Sequence, residues 1–381
     1  MGSSTAPYMG LFREACMGDL EGSLFSLGVS NQFPSPCQAM RHLLNTLYIL
    51  TPNAYLVKDG ENIVVRIDDE ETLRVPIHNL ESILCFSYMG ASPGAMSLCV
   101  QHGVKLSFLS PTGKYIGSLE GPIKGNVLLR REQYRLADDD VLSSHLASIF
   151  IAGKIANHRS VLARFCRDHH PSHEVESEIE EARALLRQQQ HKLSEQTSRL
   201  GVMGVEGYAA NIYFGLFQHL ILNKEFTFSG RSKHPPKDEV NALLSFFYTL
   251  LAHDVRAALE TVGLDAYVGF LHVDRPGRPG LALDLMEEMR AYLVDRFVLS
   301  IINKRQIERS DFIPQGEKGF LLKEDARKRL IGLWQKRKKD EITHPFLKEK
   351  MPLGLLPYIQ ALLLARHLRG DLDEYPVFLM V

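Results

Sequence analysis

This chain of 381 residues predicts an α+β fold, with a small N-terminal β-sandwich or β-sheet region followed by a larger all-α region. Three observations carry the prediction. From Leu43 to about Asn126, short β-branched and aromatic runs alternate with turn pairs. From about Arg131 onward the apolar residues switch to three- and four-residue spacing. The apolar fraction of 45% and charged fraction of 23% are those of an ordinary globular protein, long enough for two cores.

Residues 1–39 are rich in Gly, Ser and Pro, lack a sustained period, and read as a loosely ordered extension. The alternative is a short packed helix over Leu20 to Leu27. Residues 40–130 form the β region. "YLVK" and "NIVVRI" flank Asp59-Gly60, a hairpin signal, and Pro111-Thr112-Gly113 and Glu120-Gly121 punctuate later strands. Between strands, "SPGAMSLCVQHG" predicts one helix with Ser92 as N-cap, Pro93 in the first turn and Gly103 as its stop. Residues 131–370 read as helical throughout. "NALLSFFYTLLAHDVRAALETV" and "LALDLMEEMRAYLVDRFVLSIIN" are the most regular helices, and residues 371–381 form an extended tail.

Charge and cysteine content narrow the function classes. The net charge of −1 offers no global attraction for nucleic acid, so any DNA contact rests on local patches. Five scattered cysteines (Cys16, Cys37, Cys85, Cys99 and Cys166) without a CxxC pair argue against a disulfide scaffold or zinc knuckle and fit a reducing cytoplasm. No signal peptide or stretch of about 18 apolar residues is evident, so no membrane role is expected.

Four side chains stand out by context. Glu206, in "GVEGYAANIYFGLF", sits among small and aromatic residues near a helix start, and taken alone reads as a carboxylate favoured by the helix dipole. His272 ends an apolar run before "RPGRPG", where a lone histidine is usually a packing residue. Asp284 and Glu287, three residues apart, share one helix face; Glu288 and Arg290 beside them read as a solvated face. The Pro-Gly turn would fold His272 back over the Asp284–Glu287 helix, and mixed O and N donors with open positions suit Mg²⁺ or Mn²⁺ at a phosphodiester. Such spacing alone has little specificity. Basic residues form further candidates. Arg231, Lys233, His234 and Lys237 precede a helix that opens with Asp238 and Asn241, an arrangement that reads equally as a phosphate site or a solvated loop. Lys154, Asn157, Arg159 and Arg164 share another helix, and residues 301–350 hold 14 Lys/Arg against 8 Asp/Glu.

At "GVEGYAANIYF", "FSGRSKHPPKDEVNALLSFFYTLL" and "GFLHVDRPGRPGLALDLMEEMR" the chain resembles the universal CRISPR-associated integrase, the first-numbered Cas protein of the adaptation complex. "LLNTLYILTPNAYLVKDGENIVVRI" and "IHNLESILCF" extend the likeness, toward subtype I-C, from about Met40 to the end. The resemblance implies a dimerising β domain and a helical catalytic domain. It implies a divalent metal, Mg²⁺ or Mn²⁺, on Glu206, His272 and Glu287, with Asp284 supporting them. It implies that the blocks around Arg231, Lys237 and Arg290 contact double-stranded DNA or brace the site, with Lys154 and Arg159 as further DNA-contact candidates. The implied chemistry joins the 3′-OH of a short DNA fragment to a CRISPR repeat by transesterification. The implied partners are a second copy of the chain, a small second Cas protein bridging two dimers, and a Cas nuclease with an iron–sulfur cluster that trims ends. The absence of a Walker loop agrees with a reaction that needs no nucleotide, and the absence of HExxH disfavours a zinc peptidase. The rival readings are a metal-dependent nuclease on branched DNA and an architectural DNA-binding subunit.

Overall fold

A computed structural model describes residues 46–380 apart from 50, 52, 81, 86–88, 110–114, 120–126 and 234. The expectations for residues 1–39, for the Pro111 and Glu120 turns and for His234 therefore lie outside the described residues.

The N-terminal part is α+β, as its strand signals require. Strands β2 (Ala54–Asp59), β3 (Asn62–Ile67) and β4 (Glu70–Pro76) form an antiparallel meander. Its first turn is the Asp59-Gly60 hairpin, where Gly60 takes φ 57° at no Cβ cost. A second, mixed sheet has the order β1 (Thr46–Ile49), β5 (Ser82–Cys85), β6 (Lys105–Leu109) and β7 (Tyr115–Leu119), parallel except for β7. Helix α1 (Pro93–His102) lies between β5 and β6 in sequence. Ser92 caps it by accepting from the Ala95 amide at 3.2 Å, and Gly103 ends it at φ 68°. Strand period sorts β5 between two cores. Ile83 and Cys85 enter the β core with Leu56, Ile63 and Leu98, while Leu84 between them enters the helical core.

The helical part contains α2 (Val127–Asp138), α3 (Asp140–His169), α4 (His173–Lys192), α5 (Arg199–Gly215) and α6 (Glu239–Thr261). It continues through α7 (Gly280–Arg290), α8 (Arg296–Asn303), α9 (Glu324–Lys338) and α10 (Leu356–Leu368). Two short hairpins, β8–β9 (Phe312–Pro314 with Phe320–Leu322) and β10–β11 (Glu341–Thr343 with Lys350–Pro352), flank α9. Phe247, Phe297 and Trp334 meet edge-on or tilted at 4.8–5.3 Å between centroids in the core. α6 is long and apolar enough by length and composition to cross a membrane, a feature the sequence reading missed. In the fold, 61% of its most apolar stretch is buried inside the protein, which makes it a central core helix. Glu260 of α6 takes both Lys105 of β6 and Arg256 (2.7 Å), tying the sheet to the helices.

Residues 131–370, expected to be helical throughout, also hold the β8–β9 and β10–β11 hairpins. Two boundaries differ from expectation as well. The run predicted as one helix from Leu281 to Asn303 is broken by a π-helical turn, Ala291–Asp295, between α7 and α8. The helix containing Glu206 begins at Arg199, where Ser198 accepts from the Gly201 amide at 3.2 Å. Glu206 is thus its eighth residue, beyond the first turn where the helix dipole favours an acid, so the helix-start reading falls. Gly201, Gly204 and Gly207 had hidden the true start, because glycine weakens the helical signal.

Candidate active site

The Pro-Gly turn before α7 brings His272 and Asp284 together. Asp284 is fully buried, and its carboxylate is the anchor of the 270–280 loop. Oδ2 accepts from the backbone amides of Phe270 (2.6 Å) and Leu271 (2.8 Å), and Oδ1 from that of His272 (3.0 Å). Oδ1 also lies 2.5 Å from His272 Nδ1. An acceptor-only carboxylate there makes Nδ1 the protonated nitrogen, which leaves a lone pair on Nε2. The loop closes on glycine: a Cβ on Gly280 would come within 2.8 Å of the Tyr267 carbonyl oxygen and 3.0 Å of that of His272.

One turn on, Glu287 shares the buried face with Asp284. Helices α3 and α5 add Lys154 and Glu206. The Lys154 ammonium is hydrogen-bonded to Glu206 Oε1 and stands 2.8 Å from Glu287 Oε2. The Lys154 side chain is 5% exposed, Glu287 4% and Glu206 27%, so the cluster opens to solvent on the Glu206 side. Burial by itself would raise the Glu287 pKa, but Arg290, Lys154 and His272 together outweigh it and hold the carboxyl at about 2. Burial likewise works against the Lys154 charge, and Glu287 and Glu206 overcome it. Lys154 had been placed on a DNA-facing helix side. It is an interior cation instead, set in the apolar "IFIAGKIAN" run where a lone lysine needs a buried partner.

The solvated-face reading of Glu288 and Arg290 also fails. Arg290 pairs with Glu287 Oε1 at 3.1 Å and lies 5.0 Å over the Tyr248 ring. The Tyr248 hydroxyl donates to Asp295 Oδ1 at 2.5 Å, and desolvation raises the Asp295 pKa to about 6. Asp295 ends the π-helical turn that follows Arg290, a kind of turn frequent at functional sites. Glu288 is fully buried and binds the C-terminal tail, accepting from the Tyr375 hydroxyl (2.5 Å), the Gln360 amide (3.0 Å) and the Phe378 backbone N–H. Asn157, also read as basic-helix surface, donates to the carbonyls of Glu288 (2.6 Å) and Phe378 (2.9 Å). The extended tail is therefore strapped to α3 and α7 directly behind Lys154 and Glu287.

The 230–237 loop rims this cluster. Arg231 donates to Asn241 Oδ1 (2.8 Å) and Ser245 Oγ (3.1 Å) and lies 5.4 Å over Tyr248. Lys233 is lowered by desolvation and then by Arg290, with Glu287 opposing, so it stands within charge range of the site. Lys237 is exposed, and its amide bonds Ser232 Oγ at 2.9 Å. Of the two readings of this helix start, phosphate site or solvated loop, the cap bears on one amide: Asp238 accepts from Asn241 N at 2.7 Å. Arg159 lies away from the carboxylates, in a cleft of about 310 Å³ with Arg183, Arg187 and His191. Of the basic C-terminal run, Lys338 is buried on Asp254 at 3.0 Å and Arg337 pairs with Asp340 at 2.9 Å.

The donor chemistry fits a hard divalent cation. Glu206 and Glu287 supply carboxylate oxygens from separate helices, and His272 offers Nε2. Glu287 Oε2 is buried and lies 2.8 Å from the Lys154 ammonium. Among the described residues, however, no three His, Cys, Asp or Glu side chains stand close enough to hold an ion as they are. The cation between the two glutamates here is the Lys154 ammonium. Sequence reasoning missed Lys154, Tyr248, Asp295 and Glu288 in these places; the one signal available was a charged residue inside an otherwise apolar helical run.

A family model described as CRISPR associated protein Cas1 matches residues 47–336. A Chlorobaculum tepidum protein named CRISPR-associated endonuclease Cas1 1 is 48% identical over 341 residues, 89% of this chain and 99% of that one. A Rhodospirillum rubrum protein named CRISPR-associated endonuclease Cas1 2 is 49% identical over 347 residues, 88% of this chain and 98% of that one. A Geobacter sulfurreducens protein named CRISPR-associated exonuclease Cas4/endonuclease Cas1 fusion is 35% identical over 347 residues, 87% of this chain and 60% of that one. Of solved structures, a casposase bound to integration product matches with TM-score 0.75 at 22% identity, covering 87% of this chain and 92% of that one. A Cas6-RT-Cas1–Cas2 complex chain matches with TM-score 0.76 at 24% identity, covering 88% of this chain and 36% of that one. At those two identities the likeness is one of fold.

Proposed function

The chain belongs to the Cas1 family of CRISPR-associated proteins, and from that membership we propose that it is a DNA integrase and endonuclease that inserts short DNA fragments into a CRISPR array. The observation that supports the reading is a pair of carboxylates, Glu206 and Glu287, brought together around Lys154, with His272, oriented by Asp284, within charge range of Glu287. In this proposal Glu206, Glu287 and His272 hold Mg²⁺ or Mn²⁺. When bound, the ion supplies Lewis-acid polarisation of the phosphodiester and of the attacking hydroxyl.

The chain's own residues do the rest. Asp284 fixes the imidazole rotamer and tautomer. Arg290 and Lys154 keep Glu287 ionised. Arg231 and the 230–237 loop shape the rim, where Lys233 and Lys237 meet the DNA backbone. The fragment's 3′-oxygen bonds to a repeat phosphorus as the bond to the repeat's 3′-oxygen breaks; the attacking hydroxyl gives its proton to solvent and the departing 3′-oxygen takes one up. One phosphodiester replaces another, so no nucleotide is consumed. A second copy of the chain, a small Cas partner of the second kind and an end-trimming Cas nuclease with an iron–sulfur cluster complete the proposed cytoplasmic assembly. The relatives joined to or complexed with other Cas proteins support that proposal. The name endonuclease borne by the relatives favours a second reading, cleavage of branched DNA at the same site.

The test is joining of labelled duplex fragments to a supercoiled plasmid bearing a leader and repeat, with Mn²⁺ or Mg²⁺ and the small Cas partner. Wild type is expected to join label and His272→Ala to lose joining by at least about tenfold. Equal joining by both removes His272 from the mechanism, and cleavage without joining by wild type moves the function to the nuclease.

A further inference from the structure

We propose that Lys154 is a built-in counter-cation for the metal seat. Its ammonium occupies the space between Glu206 and Glu287, and a divalent ion binds there only by displacing it. The inference rests on the reading of Glu206, His272 and Glu287 as metal ligands.

One ammonium, carried by α3, meets one oxygen from each of two carboxylates carried by α5 and α7. With Lys154 and Glu287 almost wholly buried, water cannot neutralise the pair, and two bare carboxylates facing each other there would repel. The lysine therefore offsets that repulsion between the two acids, with Arg290 on the far oxygen of Glu287. A divalent ion would approach carboxylate oxygens to about 2.1 Å, well inside the 2.8 Å that the ammonium keeps from Glu287 Oε2. An ion held by both carboxylates needs the position between them that the ammonium fills.

The two cations on Glu287 are not equivalent. Arg290 holds Oε1 at 3.1 Å from the same helix, whereas Lys154 reaches Oε2 at 2.8 Å from α3. Displacing Lys154 frees Oε2 and leaves Arg290 in place. The α3 backbone cannot retreat, because Gly153 is covered by the C-terminal tail: a Cβ there would strike Val377, and Asn157 is bonded to Phe378. Displacement falls to the flexible lysine stem, toward the solvent side on which Glu206 is 27% exposed. The consequence is a metal affinity set lower than the carboxylates alone would give.

The experiment titrates Mn²⁺ into the full chain, following free Mn²⁺ by electron paramagnetic resonance and unfolding by thermal melts. The proteins are wild type, Lys154→Met, Lys154→Gln, Lys154→Arg and His272→Ala. Removing a unit charge from the seat is expected to tighten Mn²⁺ binding by about tenfold or more in the Met and Gln variants. The Arg variant, which keeps the charge, should stay near wild type. Without metal the two neutral variants should melt lower than wild type, and Mn²⁺ should raise their Tm by more. Should the Met variant fail to fold, Gln, which can still donate to one carboxylate, supplies the comparison. Neutral variants that bind Mn²⁺ no tighter than wild type overturn the proposal and make Lys154 an organiser of the ligands. If His272→Ala binds Mn²⁺ as well as wild type, the metal reading itself falls, and this proposal with it.

Discussion

Substituting Asp284 by Asn changes one atom and leaves the volume nearly untouched, so it isolates the carboxylate's role as an acceptor. Four donors converge on Asp284: the Phe270 and Leu271 amides on Oδ2, and the His272 amide and Nδ1 on Oδ1. An asparagine offers one oxygen, so its NH₂ must face one of the two donor pairs. The site is fully buried, and water cannot step in. Each buried donor left without an acceptor costs about 1–3 kcal/mol, so Asp284→Asn should lose about 2–6 kcal/mol, a large share of the roughly 5–15 kcal/mol that holds a domain together. If the NH₂ faces His272, Nδ1–H loses its acceptor, and the tautomer that leaves Nε2 free is no longer favoured. If it faces Phe270 and Leu271, the loop carrying His272 shifts. Either way strand joining should fall by about 10–100-fold at a temperature where the variant is still folded. Thermal unfolding and the plasmid-joining assay on the same preparation test this. An Asp284→Asn protein with wild-type Tm and wild-type joining would refute the argument that the carboxylate holds the loop.

Two further expectations follow from packing and from charge. Gly280→Ala sets a Cβ 2.8 Å from the Tyr267 carbonyl oxygen and 3.0 Å from that of His272, both backbone atoms. It should cost about 1–3 kcal/mol and depress joining, whereas Gly204→Ala, whose Cβ meets nothing within 4 Å on α5, should stabilise by about 0.5–1 kcal/mol in thermal melts. Burial raises Glu288 from its ordinary 4.5 to about 7, against the donors Tyr375, Gln360 and Phe378 N–H. A carboxyl raised in the fold contributes stability that is complete below pH 4.5 and is lost as pH rises through 7, about 3 kcal/mol in all. The stability difference between wild type and Glu288→Gln, from urea unfolding, should thus move against wild type by about that amount between pH 4.5 and pH 8; a constant difference would contradict it.

Much of the fold was legible because its signals are local. The Asp59-Gly60 hairpin and the Ser92–Gly103 helix depend on φ > 0 at glycine and on a side-chain cap, and both stand where the pattern placed them. The start of α5 was misread, since its glycines erase the periodic signal ahead of Glu206. The π-helical turn at Ala291–Asp295 was also not legible, because "AYLVDRFVL" continues a regular apolar pattern through it. The turn places Asp295 beneath Tyr248, a partner 47 residues earlier.

The candidate site divides along the same line. The sequence by itself singled out Glu206, His272, Asp284 and Glu287 as the candidates, because they stand in long ordered blocks that resemble those of a known family. It also determined that His272 returns to Asp284, because a Pro-Gly turn joins residues only twelve apart. The tertiary structure alone decided which charges surround them. Lys154 reaches Glu206 across 52 residues, and Glu288 reaches Phe378 across 90. Pairings at that range depend on how helices pack and on the cost of burying a charge without a partner, and neither is written in local spacing. For that reason Glu288, read as a solvated face, became the anchor of the tail, Arg290 took the bracing place that the resemblance had implied, and a lysine read as DNA-facing became the cation between the two glutamates.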